Sequence, residues 1–438
     1  MCHVETNAIH GGYTAADHAH AAVPPIYLSA AFHMESAEHG DALSAGTQDG
    51  FSYSRVANPT VDVLERRLAA LEGGRSAVAV ASGMAAVSFA LLCAAEGGGR
   101  IIAPKTLYGA SVDAMVSFFP QFGVHTDFVR DINDLAEVEA LIGPDTRAIF
   151  AESVANPSTE VTDVASLAEL AHRHGVPLII DNTVPTPYLF QPIRWGADVV
   201  VHSTTKGISG HGNTLGGVII DAGNFDWGSP RFPQFTQPEL VVSDERAGAW
   251  HSFASRFGAD AYIRRVRIKY VRTFGAVESP FNAYLQLLGL ETLAVRVREQ
   301  TRSAQAIARH LRGVPHVRRV RYSGLAIGDA ADGGAQGRLV RRLFSQGVGP
   351  VLSFELDGGR EQVSRVLDGV RVFSYVPNIG DARSLIVDPA RITHREVPAE
   401  FRGAAGVSDN LIRLSVGLEH VDDLIADLDQ AIAHAYEL

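Results

Sequence analysis

The strongest constraint on this chain is a regular alternation of short apolar runs with helical stretches between residues 77 and 220. The runs are Ala77–Ala81, Arg100–Ala103, Thr126–Val129, Ala148–Glu152, Pro177–Asp181, Asp198–His202 and Gly217–Ile220. Most are apolar at successive positions, which marks strands covered on both faces. Stretches with helical periodicity separate them, such as Ala110–Phe118 and Val164–His174. Parallel neighbours need crossovers of that length. The pattern therefore predicts a three-layer α/β/α domain around a mostly parallel sheet.

The flanks read differently. Residues 1–60 have little periodicity and suggest an extended arm with a short helix near Ala37, placed to contact a second subunit. Asn58-Pro59-Thr60 opens a helix, with Asn as N-cap and Pro in the first turn. Leu64, Leu68 and Leu71 line one face of it, and Gly73-Gly74 ends it. Residues 222–280 form an aromatic and Arg-rich insertion with weak pattern. One long helix carrying Leu290, Leu293, Val297, Ala304, Ile307 and Leu311 is predicted next. Strands at Val317–Tyr322, Val351–Leu356, Ser384–Val387 and Leu411–Val416, with helices at Glu361–Leu367 and Val421–Ala435, make a smaller C-terminal α+β domain. The expected division is 1–60 arm, 61–282 α/β domain and 283–438 C-terminal domain.

Composition narrows the function. A net charge of −11 argues against nucleic acid, which needs a basic surface, and no polybasic run suits an anionic membrane. Val78–Ala95 is long enough to span a bilayer, but Ser82, Gly83 and Ser88 interrupt it, so a strand followed by a buried helix fits better. The only cysteines are Cys2 and Cys93, too few for a disulfide framework, and Cys93 reads as core packing. The first residues lack a basic and then apolar leader pattern, so a cytoplasmic location is expected. The 17 histidines show no His-Glu-x-x-His or Cys/His ligand spacing, so no metal is expected.

Chemistry concentrates at predicted strand ends, where open α/β sheets bind ligands. Ser82-Gly83-Met84 joins a strand to a helix, whose free N–H groups can hold an anion. Asp181 follows the apolar Leu178-Ile179-Ile180 and needs a partner, such as a protonated ring nitrogen, a metal or a salt bridge. Lys206 follows Val199-Val200-Val201 through His202-Ser203-Thr204-Thr205; burial there would make its amine a nucleophile for a carbonyl. Ser203 and Thr205 could donate to a phosphate. Arg413 inside Leu411-Ile412-Arg413-Leu414 suits a carboxylate. Together these make a phosphate cup, a ring-nitrogen partner, an aldehyde-binding amine and a carboxylate clamp, the set that pyridoxal phosphate (PLP) with an amino acid requires.

The chain also resembles the cystathionine γ-synthase family, the Cys/Met-metabolism PLP enzymes of fold type I. The shared stretches include Tyr53 through Thr60, Leu71-Glu72-Gly73-Gly74, Ser82-Gly83-Met84, Tyr108-Gly109, Glu152-Ser153 with Asn156-Pro157, Asp181-Asn182-Thr183, His202 through Lys206, and Arg413 through Glu419. Within the family it looks most like O-acetylhomoserine sulfhydrylases, through Asn224-Phe225-Asp226-Trp227, Ser279-Pro280-Phe281-Asn282 and Asn378-Ile379-Gly380-Asp381. The resemblance implies that Lys206 holds PLP as a Schiff base and shuttles protons. It implies Asp181 on the ring nitrogen, and Ser82, Gly83, Met84, Thr183, Ser203 and Thr205 around the cofactor. Tyr108 would stack on the ring and act in acid–base chemistry, with Asn156 near the ring hydroxyl. Tyr53 and Arg55 would reach the phosphate of a neighbouring subunit, in a homotetramer built from dimers that share sites. Arg413 and the Ser384 backbone would bind the substrate carboxylate. The implied reaction is γ-replacement on an activated homoserine ester by sulfide or a thiol. The alternatives are γ-elimination and γ-substitution with an unusual nucleophile. Leu28-Ser29-Ala30, Val241-Val242-Ser243-Asp244, Asp388-Pro389 and Ile392-Thr393-His394 depart from the sulfhydrylase pattern and bear on the substrate, not on the cofactor.

Overall fold

The computed structural model describes residues 3–244, 248–327 and 334–437. Strands β1 (Ser76–Val80), β2 (Gly99–Pro104), β3 (Val124–Val129), β4 (Thr146–Glu152), β5 (Leu178–Asp181), β6 (Val199–His202) and β7 (Gly217–Asp221) form a 7-stranded sheet in the order β1-β7-β6-β5-β4-β2-β3. Each expected run is a strand within a residue or two. The pairings β2–β3, β2–β4, β4–β5 and β5–β6 are parallel. β7 runs antiparallel to both its neighbours, β1 and β6. Helices cover both faces. Pro59–Glu72 lies on one, with Asn58 accepting from the Thr60 amide at 3.0 Å as its cap. Gly83–Ala95 lies on the other, packed so fully that Phe89 to Ala95 are all buried. It follows strand β1 directly, as expected for Val78–Ala95, and no described helix is long and apolar enough to cross a membrane.

The insertion after β7 is better organised than its sequence suggests. Helices Phe253–Phe257 and Ala261–Arg265 continue into a π-helical turn at Val266–Val271. Tyr262 and Tyr270 donate to the carbonyls of Ala90 (2.8 Å) and Leu92 (3.0 Å), so the segment seals the outer face of Gly83–Ala95. Its order comes from these long-range contacts, which no local periodicity reveals. Cys93 is buried there, and Cys2 lies outside the described residues.

The predicted single long helix is two helices, Pro280–Glu291 and Leu293–Leu311. Leu290 sits on the first and the other stripe residues on the second. The break falls at Thr292, with φ −109° and ψ 6°. Arg296 explains it: its guanidinium donates to the carbonyls of Gly289 (2.6 Å), Gly207 (2.9 Å) and Ile208 (3.2 Å). The helix end is thereby tied to the loop that carries Lys206. Likewise, the helix expected over Ala110–Phe118 runs from Gly109 to Asp113 and loosens into a π-helical turn.

Strands β8 (Val317–Arg321), β9 (Val351–Leu356), β10 (Ser374–Tyr375), β11 (Leu385–Val387) and β12 (Leu411–Ser415) form a 5-stranded sheet ordered β10-β11-β12-β9-β8. It is antiparallel except for the short β10–β11 pair; β11 matches the expected Ser384–Val387, whereas β10 had no signal in the sequence. One apolar core joins Pro59–Glu72, one face of the large sheet, Leu293–Leu311 and this second sheet. A second core fills the opposite face of the large sheet.

Candidate active site

The carboxyl ends of β4, β5 and β6 meet the N-terminus of Gly83–Ala95 and the second sheet around a cavity of about 210 Å³. Ser82, Gly83, Met84, Tyr108, Asn156, Asp181, Thr183, Ser203, Thr205, Lys206 and Arg413 all border it. Most of the residues singled out from the sequence therefore share one site.

Lys206 follows β6 and its amine donates to the Asn378 side-chain oxygen at 2.6 Å. Burial, then the positive charge of Arg413, pull its pKa from 10.5 down to about 8. A useful fraction of the amine is thus neutral and nucleophilic near pH 7. Asp181 ends β5, and its carboxylate accepts the Thr183 amide at 2.9 Å. Burial raises its pKa, with the Thr183 contacts and His202 opposing. Such a carboxylate favours a cationic partner in the cavity. Beneath it, buried His202 shares a 2.6 Å contact with Glu72, which also accepts from Asn182 at 2.8 Å.

The Ser82 hydroxyl caps Gly83–Ala95 by accepting the Ala85 amide at 3.1 Å. The first amides of that helix have no partner within it and face the cavity beside Ser203 and Thr205. A Cβ on Gly83 would stand 2.5 Å from the Ser203 Cβ, so the backbone approaches closer than any other residue permits. This cradle suits a phosphate. Arg413, on β12, donates to the Asn156 side-chain oxygen (3.2 Å) and the Asn378 carbonyl (3.1 Å), and its Nε has no partner among the described residues. A buried guanidinium with free donor capacity suits a carboxylate.

Other expected residues lie elsewhere. Ser384 does not border the cavity; its amide and hydroxyl both donate to Glu419, at 2.8 and 2.7 Å. Its amide is therefore already engaged within the chain. Tyr53 is exposed, with the Arg55 guanidinium 5.4 Å from its ring centre, and Arg55 donates to the Arg272 carbonyl at 2.7 Å. Neither borders the cavity of its own chain. Conversely, Glu152, Asn378 and Thr393 border it without a role having been assigned from the sequence. Asn378 and Glu152 stood in the quoted motifs; only their hydrogen bonds disclose what they hold.

A desolvated lysine, a buried carboxylate one strand away, a phosphate cradle and an arginine clamp at the carboxyl edge of this sheet define a PLP enzyme of fold type I. The profile of the Cys/Met metabolism PLP-dependent enzymes matches residues 5–433, and the chain belongs to that family. It is 40% identical to a sulfhydrylase of Gibberella moniliformis over 99% of this chain and 98% of the relative. It is 39% identical to the O-acetyl-L-homoserine sulfhydrylase of Leptospira meyeri, covering 98% and 96% of the two chains. The homocysteine synthase of Schizosaccharomyces pombe is also 39% identical, over 98% of each chain. A solved Campylobacter jejuni structure, assigned as an O-acetylhomoserine (thiol)-lyase and carrying pyridoxyl-lysine-5'-monophosphate, superposes with a TM-score of 0.92. It shares 36% identity over 99% of this chain and 100% of its own.

Proposed function

We propose that this chain catalyses PLP-dependent γ-replacement, exchanging the acetate of O-acetylhomoserine for sulfide, or for a thiol, in sulfur amino-acid biosynthesis. The observation behind it is the cavity itself, where the Lys206 amine, the Asp181 carboxylate and Arg413 converge. Relatives that are O-acetyl-L-homoserine sulfhydrylases supply the choice of ester.

Bound PLP supplies an electrophilic carbon for amines and a cationic ring that stabilises negative charge on the attached amino acid. The residues do the rest. The Gly83 and Met84 amides and the Ser203 hydroxyl would hold the phosphate, flanked by Ser82, Thr183 and Thr205, whose hydroxyl donates to the Gly216 carbonyl at 3.2 Å. Asp181 would pair with the ring nitrogen and keep its proton in place. Tyr108 would cover the ring, and Asn156 would serve its hydroxyl. Arg413 receives the substrate carboxylate, which orients the Cα–H bond toward Lys206. The Lys206 amine takes that proton and later returns it. Removal of a second proton, from Cβ, would let acetate leave Cγ; entry of sulfur at the same carbon and return of both protons complete the exchange.

The exposed Tyr53 and Arg55 support a shared site, in which these side chains serve a neighbouring subunit's phosphate. We place the protein in the cytoplasm as a homotetramer of such dimers, without nucleic acid or membrane partners.

The test supplies purified holoenzyme with O-acetyl-, O-succinyl- and O-phosphohomoserine, each with sulfide, methanethiol or cysteine, and identifies products by mass. Homocysteine from O-acetylhomoserine and sulfide is the expected result, abolished in Lys206→Ala. A 2-oxo acid with no thiol product would replace this reading with γ-elimination.

A further inference from the structure

Glu152 is the last residue of β4 and is the register partner of Asp181 on β5. In-register neighbours on adjacent strands lie ~4.8 Å apart and point to the same face. Both residues border the cavity. One Glu152 oxygen accepts the Tyr108 amide at 2.6 Å and the other accepts the Asn156 amide at 3.3 Å. A single carboxyl group thus ties the loop after β2, which carries Tyr108, to the loop after β4, which carries Asn156. Its far side borders a second cavity, also of about 210 Å³, lined by Arg130, Asp131, Asn133, Glu160 and Gln336 among others. The mechanism above leaves this buried carboxyl group unused.

We propose that Glu152 is a positioning residue for the PLP site: its carboxyl group fixes Tyr108 and Asn156 against the cofactor and divides the two cavities, beside the Asp181 carboxylate that would meet the ring nitrogen. Two adjacent carboxylates in a dry pocket do not both ionise readily. Burial, then the charge of Asp181, raise Glu152 to about 8, while the two backbone amides oppose. Lys206 and Arg413 face the same cavity, and Arg130, Asp131 and Glu160 face the second.

The inference rests on the cofactor reading, and its test separates the two. Wild type, Glu152→Gln and Glu152→Ala are compared as holoenzymes, by pH titration of the bound cofactor's visible absorption, by the rate of cofactor loss on dialysis, and by kcat and KM. Glutamine is neutral and can still accept the Tyr108 amide, so its spectral midpoint stays at the wild-type value and kcat stays within about threefold. Alanine releases both loops and joins the cavities; kcat falls roughly 100-fold and cofactor is lost faster. KM for the amino acid moves far less, because Arg413 keeps its Asn378 contact. A midpoint displaced by a full pH unit in Glu152→Gln means that Glu152 is ionised and overturns the proposal. So does an alanine variant with wild-type kcat and cofactor retention. If the alanine variant does not fold, the glutamine midpoint decides alone. A wild-type protein that takes up no PLP overturns the site assignment itself.

Discussion

Arg413 offers the sharpest test because it touches both halves of the site. Consider Arg413→Met, which keeps much of the volume and removes the charge. The guanidinium is buried on β12 and bonded to Asn156 and Asn378, with one nitrogen unpartnered among the described residues. Losing the partner of a buried carboxylate costs about 2–5 kcal/mol. That corresponds to a fall in kcat/KM of roughly 30- to 5000-fold. The free protein does not lose stability in proportion, since replacing a buried charge by an apolar side chain is often neutral. The same change acts on Lys206. Its pKa lies at about 8 rather than 10.5, through burial first and Arg413 second. Arg413 is the smaller of the two causes, so without it the amine's pKa rises part of the way back. A higher pKa means less neutral amine at a given pH. Below pH 8, capture of added PLP by the apoenzyme should slow by up to about tenfold, and its pH midpoint should rise. Stopped-flow absorbance on apoenzyme across the alkaline range measures this. A kcat/KM loss smaller than about fivefold, or a capture midpoint that moves down, would refute the assignment of Arg413 as both clamp and charge.

Other outcomes follow from the same geometry. Gly83→Ala forces its new methyl against Ser203, an overpacking of about 1–3 kcal/mol, so PLP affinity measured by equilibrium dialysis should weaken roughly 5- to 150-fold. Asp221, fully buried with one oxygen bound to the Gly223 amide and the other unpartnered among the described residues, is raised by burial to about 7. A raised carboxyl pKa gives stability that is complete below the unfolded value and lost as pH climbs to about 7. Asp221→Asn lacks that loss, so its unfolding free energy from urea titration should overtake wild type by up to about 4 kcal/mol between pH 4 and 7 and hold the gain above. Mixing Arg55→Ala with Lys206→Ala, each inactive alone, should recover part of the activity if Arg55 serves its neighbour's site; no recovery would place Arg55 outside the shared machinery.

Much of this site is legible from local sequence because strands buried on both faces are continuous apolar runs, and the residue that ends such a run is carried to the sheet's edge. Asp181, Lys206 and the Ser82-Gly83-Met84 turn could be found that way, and Arg413 stood out as a charge within an apolar strand. The organisation of residues 222–280 could not be, because its helices are held by Tyr262, Tyr270 and Arg265 reaching residues far away in the chain.

The sequence by itself determined the alternation of strand and helix, the caps at Asn58 and Ser82, and the identity of the chemical groups, since each depends on residues a few positions apart. Only the tertiary structure decided the strand order, the antiparallel insertion of β7 between β1 and β6, and the break at Thr292 that lets Arg296 hold the Lys206 loop. It also decided partners: Ser384 bound to Glu419, Asn378 bound to Lys206, and Glu152 beside Asp181. A buried polar group must be satisfied by whatever the fold brings within about 3 Å, and that neighbour is set by packing between distant segments rather than by the residues alongside it.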